Sequence, residues 1–305
     1  MAKPFISSLA LAASLFVAGC ATLQPPLPEA VPSVPAEWPL PATTPVAATG
    51  DSGVAAADIG WRDFFADPRL DQLVAQALDN NRDLRVAVLN VQRARSQYGI
   101  QRADRMPSLG GEVSMVRSGG DNVDVTESYS ASAGIAGFEL DLFGRVHNLS
   151  QAALQEYFAT EEARRSAQLA LIAEVANTWL ALAADRELLA IAEATLASQE
   201  ASFQLTEQRH ELGAVSALDV SQARTVVETA RSDAARFEGQ VAQDRNALTL
   251  LVGGPVDPSL LPDALTPQVS GLTHLPAGLP SEVLLRRPDV LAAEHRLRAA
   301  NANIG

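Results

Sequence analysis

Cys20 has the most chemistry to offer in this 305-residue chain. It is the only cysteine, it follows the small residues Val17, Ala18 and Gly19, and it closes an apolar run from Phe5 to Ala18 preceded by the lone charge of Lys3. Such a run is too short to span a bilayer unaided and reads as a secretory signal. The cysteine stands where cleavage would leave it as the new N-terminus, its thiol carrying a diacylglyceryl group. The plainer reading is an ordinary cleaved signal with an incidental cysteine behind it. Acyl chains at Cys20 would supply the several anchors that stable membrane attachment requires. One cysteine cannot form a disulfide within the chain, so packing must carry stability.

A second informative stretch is Arg209–Ala223 (RHELGAVSALDVSQA). Gly213 suits the left-handed position just past a helix, and Ser216 followed three residues later by Asp219 is a pattern that caps the next helix. Capping is the main energetic role expected of Asp219. The remaining residues of the usual catalytic types lack a catalytic pattern. The four histidines (His147, His210, His274, His295) have no metal-ligand spacing, and Glu161-Glu162 reads as a solvated helix face. Gly253-Gly254-Pro255 reads as a helix stop, and neither a phosphate loop nor a nucleophile elbow appears. No catalytic residue, metal site or cofactor is expected. A formal net charge of −13 with no Lys/Arg cluster argues against nucleic acid as a partner.

The elements that must position these residues follow in order. Residues 1–19 are the signal, and 20–57 are a tether whose eight prolines between Gln24 and Pro45 exclude helix and central strand. A first repeat fills 58–252. It opens with a helix over 70–105, where Leu70, Leu73, Val74, Ala77, Leu78 and Leu84 mark an apolar stripe and Pro107 ends the run. A β-hairpin over 109–142 follows, alternating apolar and small polar residues, with its phase changing near Gly137; a bulge or a bend out of the sheet is expected there. Alternation with modest total hydrophobicity is the pattern of a transmembrane strand, although a soluble hairpin would look similar.

Residues 146–212 then contain neither Gly nor Pro, and as one helix would run about 100 Å. A tip at 213–216 and a second helix over 217–251 complete a long helical hairpin, 253–280 form a linker, and helix resumes in 281–305. Asp289–Gly305 lies over Asp83–Gly99 at an offset of 206. The chain therefore reads as the N-terminal part of a duplicated protein, ending as its second copy begins.

Two strands cannot close a barrel, and their open edges would leave unpaired amides in lipid. Several chains would have to share one barrel. At this point the sequence resembles a family. Trp61, Phe65-x-Asp67-Pro68-x-Leu70, Phe138-Glu139-Leu140-Asp141-Leu142-Phe143-Gly144-Arg145, Gly278-Leu279-Pro280-Ser281 with Arg287-Pro288-Asp289, and the Arg209–Ala223 segment resemble the TolC-like outer-membrane efflux proteins. With the Cys20 motif, they resemble its NodT-type lipoprotein branch, which serves RND efflux systems.

The resemblance implies a mainly α fold with a β-hairpin. Long helical hairpins and transmembrane strands would build a homotrimeric β-barrel and α-helical barrel in the outer membrane. It implies a passive exit duct partnered by a periplasmic adaptor and an inner-membrane RND pump. Ala21-Thr22 behind the cysteine, without Asp at the next position, favours the outer membrane. It further implies an adaptor-contacting and gating tip at Arg209, Gly213, Val215, Ser216, Leu218, Asp219 and Gln222, with Asp219 helping to constrict the closed channel. The strand-to-helix junction would comprise Phe138, Glu139, Asp141, Phe143, Gly144 and Arg145. His210 departs from the aromatic residue usual at its position. A periplasmic adaptor lipoprotein, a type I secretion outer-membrane component and a purely structural lipoprotein are the alternatives; the strand pair and the offset repeat favour the duct.

Overall fold

The computed structural model describes residues 25–27, 59–121, 123–265 and 282–304. The signal, Cys20, most of the tether, much of the linker and the Gly278–Ser281 turn lie outside them. The described elements are α1 (Trp61–Phe64), α2 (Pro68–Asn80), α3 (Arg82–Ala103), β1 (Ser108–Gly120), β2 (Val123–Ala136), α4 (Arg145–Glu211), α5 (Ala217–Val252), a 3₁₀ turn (Pro258–Leu260), α6 (Glu282–Leu285) and α7 (Pro288–Ala302). They divide into two compact units. A helical unit holds the chain up to Ala87 from the start of α1, and Arg165–Val283; a hairpin unit holds Val88–Arg164, the chain from Leu284 onward and Pro25–Leu27.

The helical unit has a conventional core. Leu70, Leu73, Val74 and Ala77 of α2 pack with Leu171, Ile172, Val175, Trp179 and Leu182 of α4 and with Val241, Leu248 and Val252 of α5. Each large side chain withdrawn in this way contributes roughly 1.5–3 kcal/mol. Pro68 at the first helical position and Asp67 as N-cap, whose carboxylate accepts from the Arg69 amide at 2.8 Å, start α2.

The single helix expected over 70–105 is two helices, parted at Asn81. The Asn81 side chain does two jobs there: Nδ2 donates to the Leu251 carbonyl at the end of α5 (2.8 Å), and Oδ1 accepts from the Leu84 amide (2.9 Å). It therefore caps one helix end while starting another. Gly253 closes α5 in the left-handed conformation (φ 78°), where a Cβ would come within 2.5 Å of the Asn80 carbonyl oxygen. Only glycine fits that approach.

In the hairpin unit β1 and β2 pair antiparallel from Ser108↔Ala136, with an irregularity between Ser118 and Gly120. The register places Leu109 beside Ile135, Gly111 beside Ala133, Val113 beside Ala131 and Met115 beside Tyr129, all on one face. The other face carries Gly110/Gly134, Glu112/Ser132 and Ser114/Ser130, with a 2.6 Å hydroxyl contact between the last two. The apolar face is interrupted at Arg117–Glu127, an ion pair of 3.5 Å whose carboxylate also accepts from the Tyr129 hydroxyl, with Val125 exposed on the same face beyond it.

Pairing stops at Ala136, not at residue 142. Gly137 adopts φ +63° and turns the chain out of the ladder, and β1 has no residue before Ser108 to pair further. In the same unit Ala292, Ala299 and Ala302 of α7 are buried, and α7 meets α4 where His295 Nδ1 donates to Gln155 Oε1 at 2.8 Å and its ring lies 5.4 Å from that of Phe158. Helix α3 starts at Arg82 and α7 at Pro288, so the two helix starts carry the same 206-residue offset as the sequence repeat.

Candidate functional site

The expected tip residues meet in one turn. Helix α4 ends as the Ala214 amide donates to the Arg209 carbonyl and the Gly213 amide to the His210 carbonyl, both at 2.8 Å, with Gly213 at φ +74°. This pair of bonds is the Schellman closure, and it needs a residue tolerant of positive φ at position 213. Three residues after Gly213, Ser216 caps α5. Its hydroxyl accepts from the Asp219 amide (3.3 Å) and donates to Asp219 Oδ2 (2.7 Å), which also accepts from the Ser216 amide (2.8 Å). The Ser216 hydroxyl first, then its amide, hold the Asp219 carboxyl below its ordinary pKa, with a smaller contribution from the charge of His210. Every recorded contact of the carboxylate uses Oδ2.

His210 has a role that no short-range motif announces: its Nδ1 donates to the Val215 carbonyl at 2.8 Å, bridging the turn from the last residues of one helix to the cap of the next. Around this turn Arg209, Leu218 and Gln222 are exposed and Val215 is half-buried. Leu212 is exposed as well, so the turn presents apolar side chains to its surroundings. Farther along the hairpin, Arg224–Glu207 (3.6 Å) and Arg231–Glu200 (2.9 Å) tie α5 to α4.

The junction residues also meet. From Gly137 the chain runs as an irregular segment in which Phe138, Leu140, Leu142 and Phe143 are exposed, while the intervening acids are engaged. Asp141 Oδ2 accepts from the His147 amide at 2.8 Å. The His147 amide, followed by those of Val146, Arg145 and Gly144, holds the Asp141 carboxyl below its ordinary pKa, as expected of a carboxylate at a helix N-terminus. Glu139 pairs bidentately with one edge of the Arg145 guanidinium, Nε donating to Oε1 at 3.2 Å and Nη2 to Oε2. Gly144, at φ +82°, lets the segment double back so that residues 139 and 141 reach the first turn of α4. Cys20, the remaining expected site residue, lies outside the described residues.

A third cluster was not expected from sequence. Three successive carbonyls, from the last residue of the 3₁₀ turn onward, are each held by a donor: Leu260 by Trp179 Nε1 (3.0 Å), Leu261 by Arg69 Nη1 (3.3 Å) and Pro262 by Arg186. Arg69 also reaches Asp67 (2.9 Å) and Asp263 (3.3 Å). The donors and acceptors lie far apart in the chain, so no local pattern signals them. No group of three His, Cys, Asp or Glu side chains able to hold a metal occurs among the described residues.

Comparison with known proteins gives these arrangements a context. The sequence model described as outer membrane efflux protein matches residues 73–254, a stretch that includes the hairpin, the junction, both long helices and the tip. The chain is 47% identical over 307 residues to the probable efflux pump outer membrane protein TtgC of Pseudomonas putida, covering 98% of this chain and 63% of that protein. It is 45% identical to the cation efflux system protein CusC of Escherichia coli, over 81% of this chain and 54% of that one.

Among solved structures, the open state of the Neisseria gonorrhoeae MtrE outer membrane channel superposes with a TM-score of 0.74 at 38% identity, covering 93% of this chain and 62% of that one. A membrane protein from Pseudomonas aeruginosa superposes with a TM-score of 0.76 at 40% identity, covering 93% and 63%. The chain thus spans less than two thirds of the length of these relatives. With both long helices inside the matched stretch and identity above 40% along nearly its whole length, the chain belongs to the outer membrane efflux protein family.

Proposed function

We propose that the full-length protein is the outer-membrane exit duct of a tripartite efflux system. Three copies share one barrel, and small molecules expelled by an inner-membrane pump pass through without chemical change. The observation that carries this reading is the hairpin: two strands with one apolar and one polar face, each presenting an unpaired edge among the described residues. Such edges are tolerable in lipid only if neighbouring copies close the sheet. In this reading energy comes from the partner pump, and no nucleotide-binding motif stands in the sequence to supply it locally.

In this reading the tip around Gly213–Asp219 receives the periplasmic adaptor. Asp219 helps constrict the closed channel through the carboxylate oxygen not used in the cap. Cys20 carries the lipid anchor. One relative is named for cation efflux and another for toluene efflux, which supports assigning as cargo a broad class of drugs or other small molecules.

Crosslinking the full-length protein in outer membranes, followed by single-channel recording of the purified species, tests the proposal. A three-chain product that conducts ions is the expected result. Monomers alone, or trimers that never conduct, would refute it.

A further inference from the structure

Among the described residues, the last turn of α3 and the residues just beyond it leave two guanidinium groups without a recorded partner, Arg102 and Arg105. Both are exposed, and both line a shallow groove of about 690 Å³ with Gly99, Met106 and Pro107. A helix C-terminus favours a cation, which accounts for Arg102 in the last turn but not for Arg105, which follows the helix. Met106 beside them is 72% exposed. Two like charges beside an uncovered apolar side chain form a surface complementary to an amphiphile with an anionic head.

The hairpin states where that amphiphile is. The first apolar row of the sheet, Leu109 beside Ile135, begins four residues after Arg105, and the apolar face continues to Met115 beside Tyr129 before the Arg117–Glu127 pair interrupts it. Arg102 and Arg105 therefore stand at the level where an apolar face gives way to polar surface, at the helix-linked end of the strands. Long cationic side chains at such a boundary reach the headgroup layer. The other charged groups nearby do not compete for the same place. Arg145 is paired with Glu139, and Asp104, with both of these, lines the neighbouring groove beside Gly137.

We infer that Arg102 and Arg105 form a binding site for the anionic headgroup of a phospholipid in the periplasm-facing leaflet, with Met106 against its acyl chain. The inference rests on the hairpin lying in the outer membrane and is independent of what the duct carries.

The test uses the full-length protein in nanodiscs of phosphatidylcholine alone or with one fifth phosphatidylglycerol, with retained lipid read by native mass spectrometry. Expected is at least a several-fold preference for phosphatidylglycerol, lost in Arg102→Gln/Arg105→Gln, preserved in Arg102→Lys/Arg105→Lys and unchanged in Arg93→Gln. Equal retention of the two lipids by the unaltered protein would overturn the inference without any variant being needed. So would a preference that survives the double Gln substitution, or one that millimolar inorganic phosphate abolishes. Transport can fail while the lipid preference persists, and the reverse, so this result and the duct proposal are judged separately.

Discussion

In the helical unit Trp179 and Leu182 are 1% and 0% exposed, whereas on the hairpin Leu109 and Val113 stand 85% and 87% exposed. The difference does not come from composition, since both regions alternate apolar and polar residues with a regular period. It comes from what the apolar face is meant to meet. In α4 the period suits a helix whose stripe is covered by α2 and α5. In β1 and β2 the period is two, and the apolar face finds no protein cover among the described residues. A soluble two-stranded sheet with a bare apolar face would be unstable. A membrane strand needs that bare face, because lipid covers it. On the proposed reading the two units bury apolar surface by the same physics against different surroundings, and substitutions at matched positions should respond in opposite ways.

The largest effect is expected at Trp179. Trp179→Ala removes the biggest fully buried side chain and the donor to the Leu260 carbonyl, and should destabilise the helical unit by about 3–5 kcal/mol. Chemical unfolding of the purified full-length protein in detergent, followed by the helical circular dichroism signal, measures it. Trp179→Phe sharpens the result, since it keeps most of the ring but drops the indole N–H. An Ala variant as stable as the parent would mean that the core described for this unit is not what holds it.

A smaller effect, dependent on face, is expected on the hairpin. Val113→Arg places a charge in the apolar row and should cost about 2–4 kcal/mol if that row meets the bilayer midplane. Ser114→Arg, one residue on, points the same charge to the polar face and should be tolerated. The yield of heat-modifiable oligomer in outer membranes reads the difference. Equal tolerance at both positions would remove the lipid from the comparison and leave an ordinary soluble hairpin.

What the sequence made legible divides along the distance between partners. The cap of α5 can be read directly, because Ser216 and Asp219 are three residues apart and bond only to each other and to their own backbone. The Gly213 closure is equally local. Asn81 is not legible, because the carbonyl its amide serves belongs to Leu251, 170 residues away. Nothing in the apolar stripe from Leu70 to Leu84 shows that the helix breaks there. The hairpin illustrates a different limit. Alternation continues to Leu142, so pattern alone extends the strand. Pairing needs a partner, however, and β1 begins only at Ser108. Gly137 is visible in the sequence as a place of change, while the direction of the change is set by the neighbouring strand. The junction acids show a third case: Glu139 and Asp141 look like the polar half of an alternating strand, but each serves the start of α4, six residues on.

The smallest effect, and the most discriminating, is in pH dependence, because the two units hold an acid each with opposite perturbation. In the hairpin unit Asp141 is held below its ordinary pKa of 3.8 by backbone amides, His147's foremost. Its contribution to stability is complete above pH 3.8 and is lost as pH falls through the lowered native value. In the helical unit Asp244 on α5 is pushed above 3.8, first by burial and then by the charge and hydrogen bonding of Asp185 on α4, and its Oδ2 is buried without a partner. Its contribution is present below pH 3.8 and is lost as pH rises through the raised native value, leaving two carboxylates facing one another at neutral pH. Asp141→Asn should therefore flatten the acid-side loss of stability while leaving the neutral range nearly parallel to the parent. Asp244→Asn should do the reverse, raising stability at pH 7 and removing the decline above pH 4. Unfolding midpoints measured at half-unit intervals from pH 3 to 8 separate the two. If Asp244→Asn lowered stability at pH 7, the two aspartates would have to be braced by an ionic partner, and the helical unit would depend on charge where its core suggests that it depends on burial.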